Sequence, residues 1–257
     1  MIRLMKADLY RLVHTKGIYI VLLAIIAFVS VSVSAEQVGT MGVNSESALK
    51  SLYQGSSTWN MAVALTSASF SSSILIYLFI AFFVVVLGYE FSQRTYKNTL
   101  TSGVSRVAFV ISKYFTQLLT LFVGTFLYYA TTAVLAFFKY GTEGIMVGEV
   151  LTDALIAMVS LSFCVSVIFS LATLVLLLTT SNIISVVFII IYPILIQLTY
   201  MLTKWDGLKY FDFYSLAQSI GLSQIGGTEL VPYILVSLAT ITISLIGGAI
   251  VIRHKEL

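Results

Sequence analysis

The chain has 257 residues, of which 59% are hydrophobic and 10% charged, with a mean hydropathy of +1.01. An ordinary globular domain carries about 25% charge, so fourteen Lys/Arg and eleven Asp/Glu cannot cover a water-facing surface of this size. Aromatic residues at 13% and only two prolines exclude a disordered chain. The composition reads as an all-α polytopic membrane protein, since helices satisfy their own backbone groups inside a bilayer.

A charge at the centre of a membrane helix costs about 2.5–3.5 kcal/mol, and a crossing needs about 20 residues. Gaps between charges therefore mark the spans. Before the first gap, residues 1–16 place Ile2, Met5, Leu9, Leu12 and Val13 on one side of a helix, with Leu4, Arg3, Arg11 and His14 off that side. Two readings stand: an amphipathic interfacial helix on an anionic inner leaflet, or positive charges preceding a start-transfer helix. The first span is 17–35. Val33-Ser34-Ala35 resembles a signal-peptidase site, but the apolar stretch exceeds the usual 7–15 residues, so an uncleaved span is expected.

Residues 36–69 read as an exterior segment, Ser- and Gly-rich around Val43–Ser47 and polar at Gln54–Thr58. The second span is expected at 70–89 and the third at 114–138. Residues 154–203 contain no charge; the Thr179-Thr180-Ser181-Asn182 turn signal divides them into spans 154–178 and 183–202. Pro193 predicts a kink in the fifth span, read as a packing adaptation. Residues 203–229 mix Trp205, Tyr210, Phe211, Phe213 and Tyr214 with Lys204, Asp206, Lys209 and Asp212. They suit either one or two short interfacial or re-entrant helices, or a loop with aromatic anchors at headgroup level. The sixth span is 230–252. Cys164 is expected to be a small apolar side chain in the fourth span.

Orientation follows from the bases. Arg3, Lys6, Arg11, Lys16, Arg94, Lys97, Arg106, Lys113, Arg253 and Lys255 fall on one side, and Lys50, Lys139, Lys204 and Lys209 on the other. Ten against four predicts cytoplasmic termini. Acids Glu36, Glu46, Glu143, Glu149, Asp206, Asp212 and Glu229 sit on the predicted outer side. No Asp, Glu or His lies in mid-span, which disfavours an ion-coupled carrier, a metal site and an activated intramembrane nucleophile. Gln117 and Gln197 are expected to hydrogen-bond between helices, with substrate contact the alternative. The dispersed bases mark topology and give no support to nucleic-acid binding.

The most informative stretch is Gly88-Tyr89-Glu90-Phe91-Ser92-Gln93-Arg94-Thr95-Tyr96-Lys97-Asn98-Thr99-Leu100-Thr101-Ser102-Gly103-Val104-Ser105-Arg106. An acid closes the apolar run, a basic, hydroxyl-rich stretch and a Gly turn follow, and Ser105 is placed to cap the next helix. It reads as a short helix across one mouth of a helical hairpin.

This stretch resembles the type-2 ATP-binding-cassette (ABC) exporter permeases, including six-span subunits of bacitracin- and lantibiotic-immunity exporters. Their second span ends in Glu-Phe or Glu-Tyr, followed by Gly-Thr-x-Lys-Asn-x-Leu and then x-Val-Ser-Arg. Glu90, Phe91, Thr95, Lys97, Asn98, Leu100, Val104, Ser105 and Arg106 match, whereas Arg94 replaces Gly and Gly103 replaces Pro. The resemblance implies that 90–106 is a coupling segment, helical from about Glu90 to Thr101, that docks on an ABC-type ATPase subunit. Coupling residues would be Glu90, Phe91, Arg94, Thr95, Lys97, Asn98, Leu100, Ser105 and Arg106. Glu90 would pair with Arg94 or Lys97 or cap the coupling helix; the plainer reading is a membrane-boundary carboxylate.

The chain contains no G-x-x-x-x-G-K-[ST] loop. ATP and magnesium are therefore expected on the partner, with no cofactor bound here and no enzymatic activity in this subunit. The expected function is export of a hydrophobic or amphipathic peptide, antibiotic or lipid-like compound. The expected assembly is a permease dimer, with a second copy or a paralogue, in a bacterial cytoplasmic membrane. A membrane sensor or scaffold and, further off, a secondary carrier are the alternatives.

Overall fold

The computed structural model describes residues 2–38, 59–142 and 146–254. Val43–Ser47, Gln54–Thr58 and Lys255 lie outside the described residues, which are helical with no strand. The elements are α1 (Ile2–His14), α2 (Lys16–Ala35), α3 (Met61–Ser71), α4 (Ser73–Phe83), a π-helical turn (Val84–Gly88), α5 (Tyr89–Ser92), α6 (Tyr96–Thr101), α7 (Arg106–Tyr140), α8 (Val147–Thr179) and α9 (Asn182–Thr203). A 3₁₀ turn (Asp206–Phe211), α10 (Phe213–Gly221), a second 3₁₀ turn (Gly227–Glu229) and α11 (Leu230–His254) complete the chain.

Among the described residues, six helical stretches are long and apolar enough to cross a membrane: Lys16–Ala35, Ser73–Ser92, Arg106–Tyr140, Val147–Thr179, Asn182–Thr203 and Gly227–His254. This is a multi-pass membrane protein. The count matches the charge gaps, but the limits of three spans shift most. The second span begins and ends three residues later than expected, at 73 and 92. The third and fourth begin earlier, at 106 and 147. Lys113 therefore belongs inside a helix, where it is 1% exposed, and is not a loop base. Helix α9 continues through Pro193.

Helix α8 is the hub of the bundle, contacting α3, α7, α9, α10 and α11. Its sequence is apolar all round, the pattern of a buried helix, and small residues such as Ala157, Ser162, Cys164, Ser166 and Ala172 face inward. Hydroxyls join the central helices: Tyr114 to Ser166 at 3.2 Å, Thr125 to Ser162 at 2.6 Å, and Tyr128 Oη to the Ala68 carbonyl at 2.9 Å. By contrast, α2, α9 and α11 leave most of their apolar surface uncovered, as lipid-facing helices do.

Helix α3 lies in the segment expected to be exterior, yet most of it is buried. Asn60 caps it by accepting from Val63 N at 2.9 Å. Its hydroxyls turn back on preceding carbonyls, Thr66 to Ala62, Ser67 to Ala64 and Ser72 to Ser69. The polar-looking run thereby becomes a thin, self-satisfied helix that tolerates close packing. At the same end of the bundle, Lys139 Nζ, expected in an exterior loop, ends α7 and donates to the Val33 and Ser34 carbonyls at 3.0 Å, closing the C-terminus of α2.

Gly124 marks the tightest crossing of α4 and α7. A Cβ there would stand 2.6 Å from Phe79 Cε1 and 3.0 Å from Phe82 Cε2, and both rings are buried. Gly124→Ala is expected to destabilise the bundle by about 1–3 kcal/mol through overpacking. Thermal denaturation in lipid nanodiscs measures this, and a wild-type melting temperature would show the crossing to be slack.

Candidate functional site: a buried ionic cluster beneath the 90–106 segment

At one end of the bundle, α1, the π-helical turn, α5 and α7 converge on four ionisable side chains. Lys113 Nζ lies 2.6 Å from Asp8 Oδ1 and 2.8 Å from Glu90 Oε1. Arg11 contacts the same two oxygens, through Nη1 to Glu90 at 2.9 Å and Nη2 to Asp8 at 3.1 Å. Arg11 Nη2 also donates to the Val86 carbonyl in the π-helical turn at 2.8 Å. Two acids face two bases, so the cluster is formally neutral. Only Arg11 retains appreciable exposure, at 27% of its side chain against 2% for Lys113.

Each member owes its position to local structure. Asp8, Arg11 and Leu12 share the packed face of α1, since residues three and four apart lie side by side on a helix. Glu90 follows the π-helical turn, a widened turn of a kind often found at functional sites. Lys113 lies two turns into α7, after Ser105 caps its start by accepting from Ala108 N at 3.2 Å. Burial pushes the Asp8 carboxyl above the usual carboxylate range and Lys113 pulls it back. Asp8 Oδ2, Glu90 Oε2 and Arg11 Nε are buried with no partner among the described residues.

The structure corrects one expectation. Glu90 pairs with Arg11 and Lys113, 79 and 23 positions away in sequence, and not with Arg94 or Lys97. On α1, Leu12 is buried and Leu4, Met5 and Leu9 are half-buried, whereas Ile2 and Val13 are 69% and 59% exposed. Pairing of Asp8 and Arg11 with α7 and α5 sets which side of α1 packs on the bundle.

The helix expected from about Glu90 to Thr101 is broken: α5 ends at Ser92 and α6 begins at Tyr96. Arg94 breaks it with a left-handed φ of 56°, a conformation glycine adopts most easily, and glycine is the residue found there in the resembled exporters. Gly103 has a φ of 89°, which proline's fixed negative φ excludes. Phe91 and Tyr96 stack at 4.4 Å between centroids and, with Leu100, form the buried underside. Thr95 N donates to the Glu90 carbonyl at 3.0 Å. Arg94, Thr95 and Asn98 are exposed and Lys97 is half-buried. Arg106 Nη1 donates to the Arg253 carbonyl at 2.9 Å, so α1, the 90–106 segment and the end of α11 occupy the same end of the bundle. A polar rim is thus held on an aromatic base, rooted by an ionic cluster.

Gln117 and Gln197 lie elsewhere. Gln117 Oε1 accepts from Thr173 at 3.4 Å between α7 and α8, and Gln197 Nε2 donates to Ser215 at 3.2 Å between α9 and α10. Asp8, Arg11 and Lys113 escaped the sequence reading of the site, as did Asn182, whose side chain sits against Gly88. The available signals were a lone acid three residues before Arg11 in a basic segment, and a lysine at the threshold of an apolar run. No protein-family model and no curated protein matches this sequence.

Proposed function

We propose that the chain is the membrane permease subunit of an ATP-driven exporter, working as a dimer with a second permease in a bacterial cytoplasmic membrane. Its cargo is a hydrophobic or amphipathic peptide, antibiotic or lipid-like compound. The end carrying α1 and the 90–106 segment faces the cytoplasm, a reading the excess of bases there supports. The ATPase subunit, which holds ATP and magnesium, docks on the exposed rim around Arg94, Thr95 and Asn98.

One observation carries this reading: the exposed turn is not a loose loop but is fastened through Glu90 to α1 and α7. A push on the rim therefore reaches the span 106–140 directly. Force from a soluble motor needs a rigid lever of this kind, whereas a protein that merely anchors a partner does not.

A cysteine at Asn98 is expected to cross-link to an ABC-type ATPase subunit in native membranes, and the chain to co-purify with that subunit in mild detergent. Isolation with no ATPase subunit and no such cross-link would favour the sensor or scaffold alternative. In the reconstituted complex, Arg106→Ala is expected to lower cargo-stimulated ATPase activity severalfold without affecting membrane insertion, because it frees the start of α7 from α11. Unchanged stimulation would remove Arg106 from the coupling path.

A further inference from the structure

At the opposite end of the bundle two cavities adjoin. The first, of about 370 Å³, lies between α9, the first 3₁₀ turn and α10, and is lined by Gln197, Tyr200, Lys209, Asp212, Ser219 and Tyr233 among others. The second, of about 500 Å³, runs between α8, α10 and α11, with Leu155, Val159, Phe163, Ile220 and Ile234 in its walls and no polar lining surface. Leu216 and Tyr233 belong to both. Each volume lies within the range of small-molecule sites, about 300–1,000 Å³.

The polar cavity holds two charged side chains that form no ion pair among the described residues. Asp212 accepts from Ser215 N at 3.0 Å and Ser215 Oγ at 2.7 Å, capping α10. Among the described residues no base forms an ion pair with it. A carboxylate offers about four lone-pair sites, so the two bonds from Ser215 and the one from Gln197 leave room for a further donor. Burial pushes the Asp212 carboxyl up, offset by its bonds to Ser215 and Gln197. Lys209, exposed at the rim, has its ammonium 5.2 Å from the Tyr210 ring centroid and likewise lacks an acid partner among the described residues. One wall thus presents an anion, the rim a cation, and the neighbouring cavity only hydrocarbon. From Thr152 to Cys164 the apolar groove follows α8 for twelve residue-to-residue rises, about 18 Å, close to the half-thickness of a bilayer core, about 15 Å.

We propose that the two cavities form one site for a zwitterionic, ammonium-bearing bilayer phospholipid, with its ammonium at Asp212, its phosphate toward Lys209 and one acyl chain along the α8–α11 groove. Charge complementarity selects this headgroup over an anionic one, because an anionic lipid without an amine leaves Asp212 unanswered. Tyr200 and Tyr233 line the first cavity, and such rings are enriched where a membrane protein meets headgroups. The site is independent of the exporter reading, since it needs only the folded bundle in a bilayer.

The test uses the full chain without any ATPase, reconstituted in equimolar phosphatidylethanolamine and phosphatidylglycerol, then released for native mass spectrometry of retained lipid. Wild-type protein is expected to retain phosphatidylethanolamine over phosphatidylglycerol about tenfold, the preference one charge-assisted hydrogen bond supplies. Asp212→Asn keeps a good helix cap but removes the charge, and is expected to bring the ratio to about one. Lys209→Gln, at an exposed side chain remote from the cap, should lower phosphatidylethanolamine retention severalfold. Val159→Trp fills the groove and should reduce retention of both lipids. Equal retention of the two lipids by wild type, or a wild-type ratio in Asp212→Asn, would overturn the headgroup assignment. Unchanged retention in Lys209→Gln or Val159→Trp would overturn the phosphate or acyl-chain placement.

Discussion

Glu90→Ala is expected to cost about 3–5 kcal/mol of stability and, in the exporter proposed above, to uncouple ATP hydrolysis from transport. The cost arises because buried Lys113 and half-buried Arg11 are left as two cations facing Asp8 alone, and an unpaired buried charge is far more costly than the pair was beneficial. The pair itself supplies little net stability, since desolvating both ions offsets most of their attraction. A double-mutant cycle with Lys113→Met separates the two statements. Lys113→Met alone leaves two acids facing Arg11. The double variant retains a balanced Asp8–Arg11 pair at 3.1 Å. It should therefore be more stable than the two single effects summed, by a coupling energy of about 0.5–3 kcal/mol. Thermal denaturation in nanodiscs supplies these numbers, and strict additivity would mean the four groups do not act as a unit.

The same double variant isolates function from stability. Its bundle is repaired electrostatically, but α1 and α7 no longer grip the root of the 90–106 segment through Glu90. If that grip transmits force, cargo-stimulated ATPase activity stays low in a protein that melts normally. Wild-type stimulation in the stabilised double variant would show that the cluster only holds the fold, and the lever reading would fail with it.

Particular residues show why some of this architecture was legible in sequence and some was not. Absence of charge marks the spans because the cost of a buried charge is one-body information, available from each residue alone. Lys113 defeats that rule: its charge lies inside the helix because Asp8, 105 positions away, neutralises it. Helix α3 defeats the complementary rule, since Ser and Thr look exterior until their hydroxyls are seen bonded to their own helix. The segment 203–229 was legible as short helices or an anchored loop, and the structure resolves it into α10 flanked by 3₁₀ turns. Phe213, Tyr214, Leu216 and Ala217 of α10 are buried, and Gln218 donates to the Phe70 carbonyl at 3.0 Å. The 90–106 segment reads in sequence as a short helix across one mouth of a hairpin, with a coupling role implied only by resemblance, and tertiary structure alone reveals that Glu90 looks back to α1 and α7 and not forward to Arg94 or Lys97.

Gly88→Ala is expected to destabilise the protein by about 1–3 kcal/mol in the wild-type background and to be neutral or stabilising when Asn182 is alanine. A Cβ at Gly88 would overlap Asn182 Oδ1 and stand 2.7 Å from its Cγ, an overpacking cost of the usual size. Gly88 ends the π-helical turn two residues before Glu90, and Asn182 opens α9 just after the Thr180–Ser181 turn. Their contact joins the root of the 90–106 segment to the turn between α8 and α9. Asn182 Oδ1 is buried without a partner among the described residues, so Asn182→Ala removes an unsatisfied acceptor and should itself cost little. With that side chain gone, alanine at 88 brings the helix-stabilising gain of about 0.5–1 kcal/mol that glycine forgoes. The sign of the Gly88→Ala effect therefore reverses between backgrounds. Thermal melting of the four proteins measures it directly. The same sign in both backgrounds would show that glycine at 88 serves the flexibility of the π-helical turn and not the approach of α9.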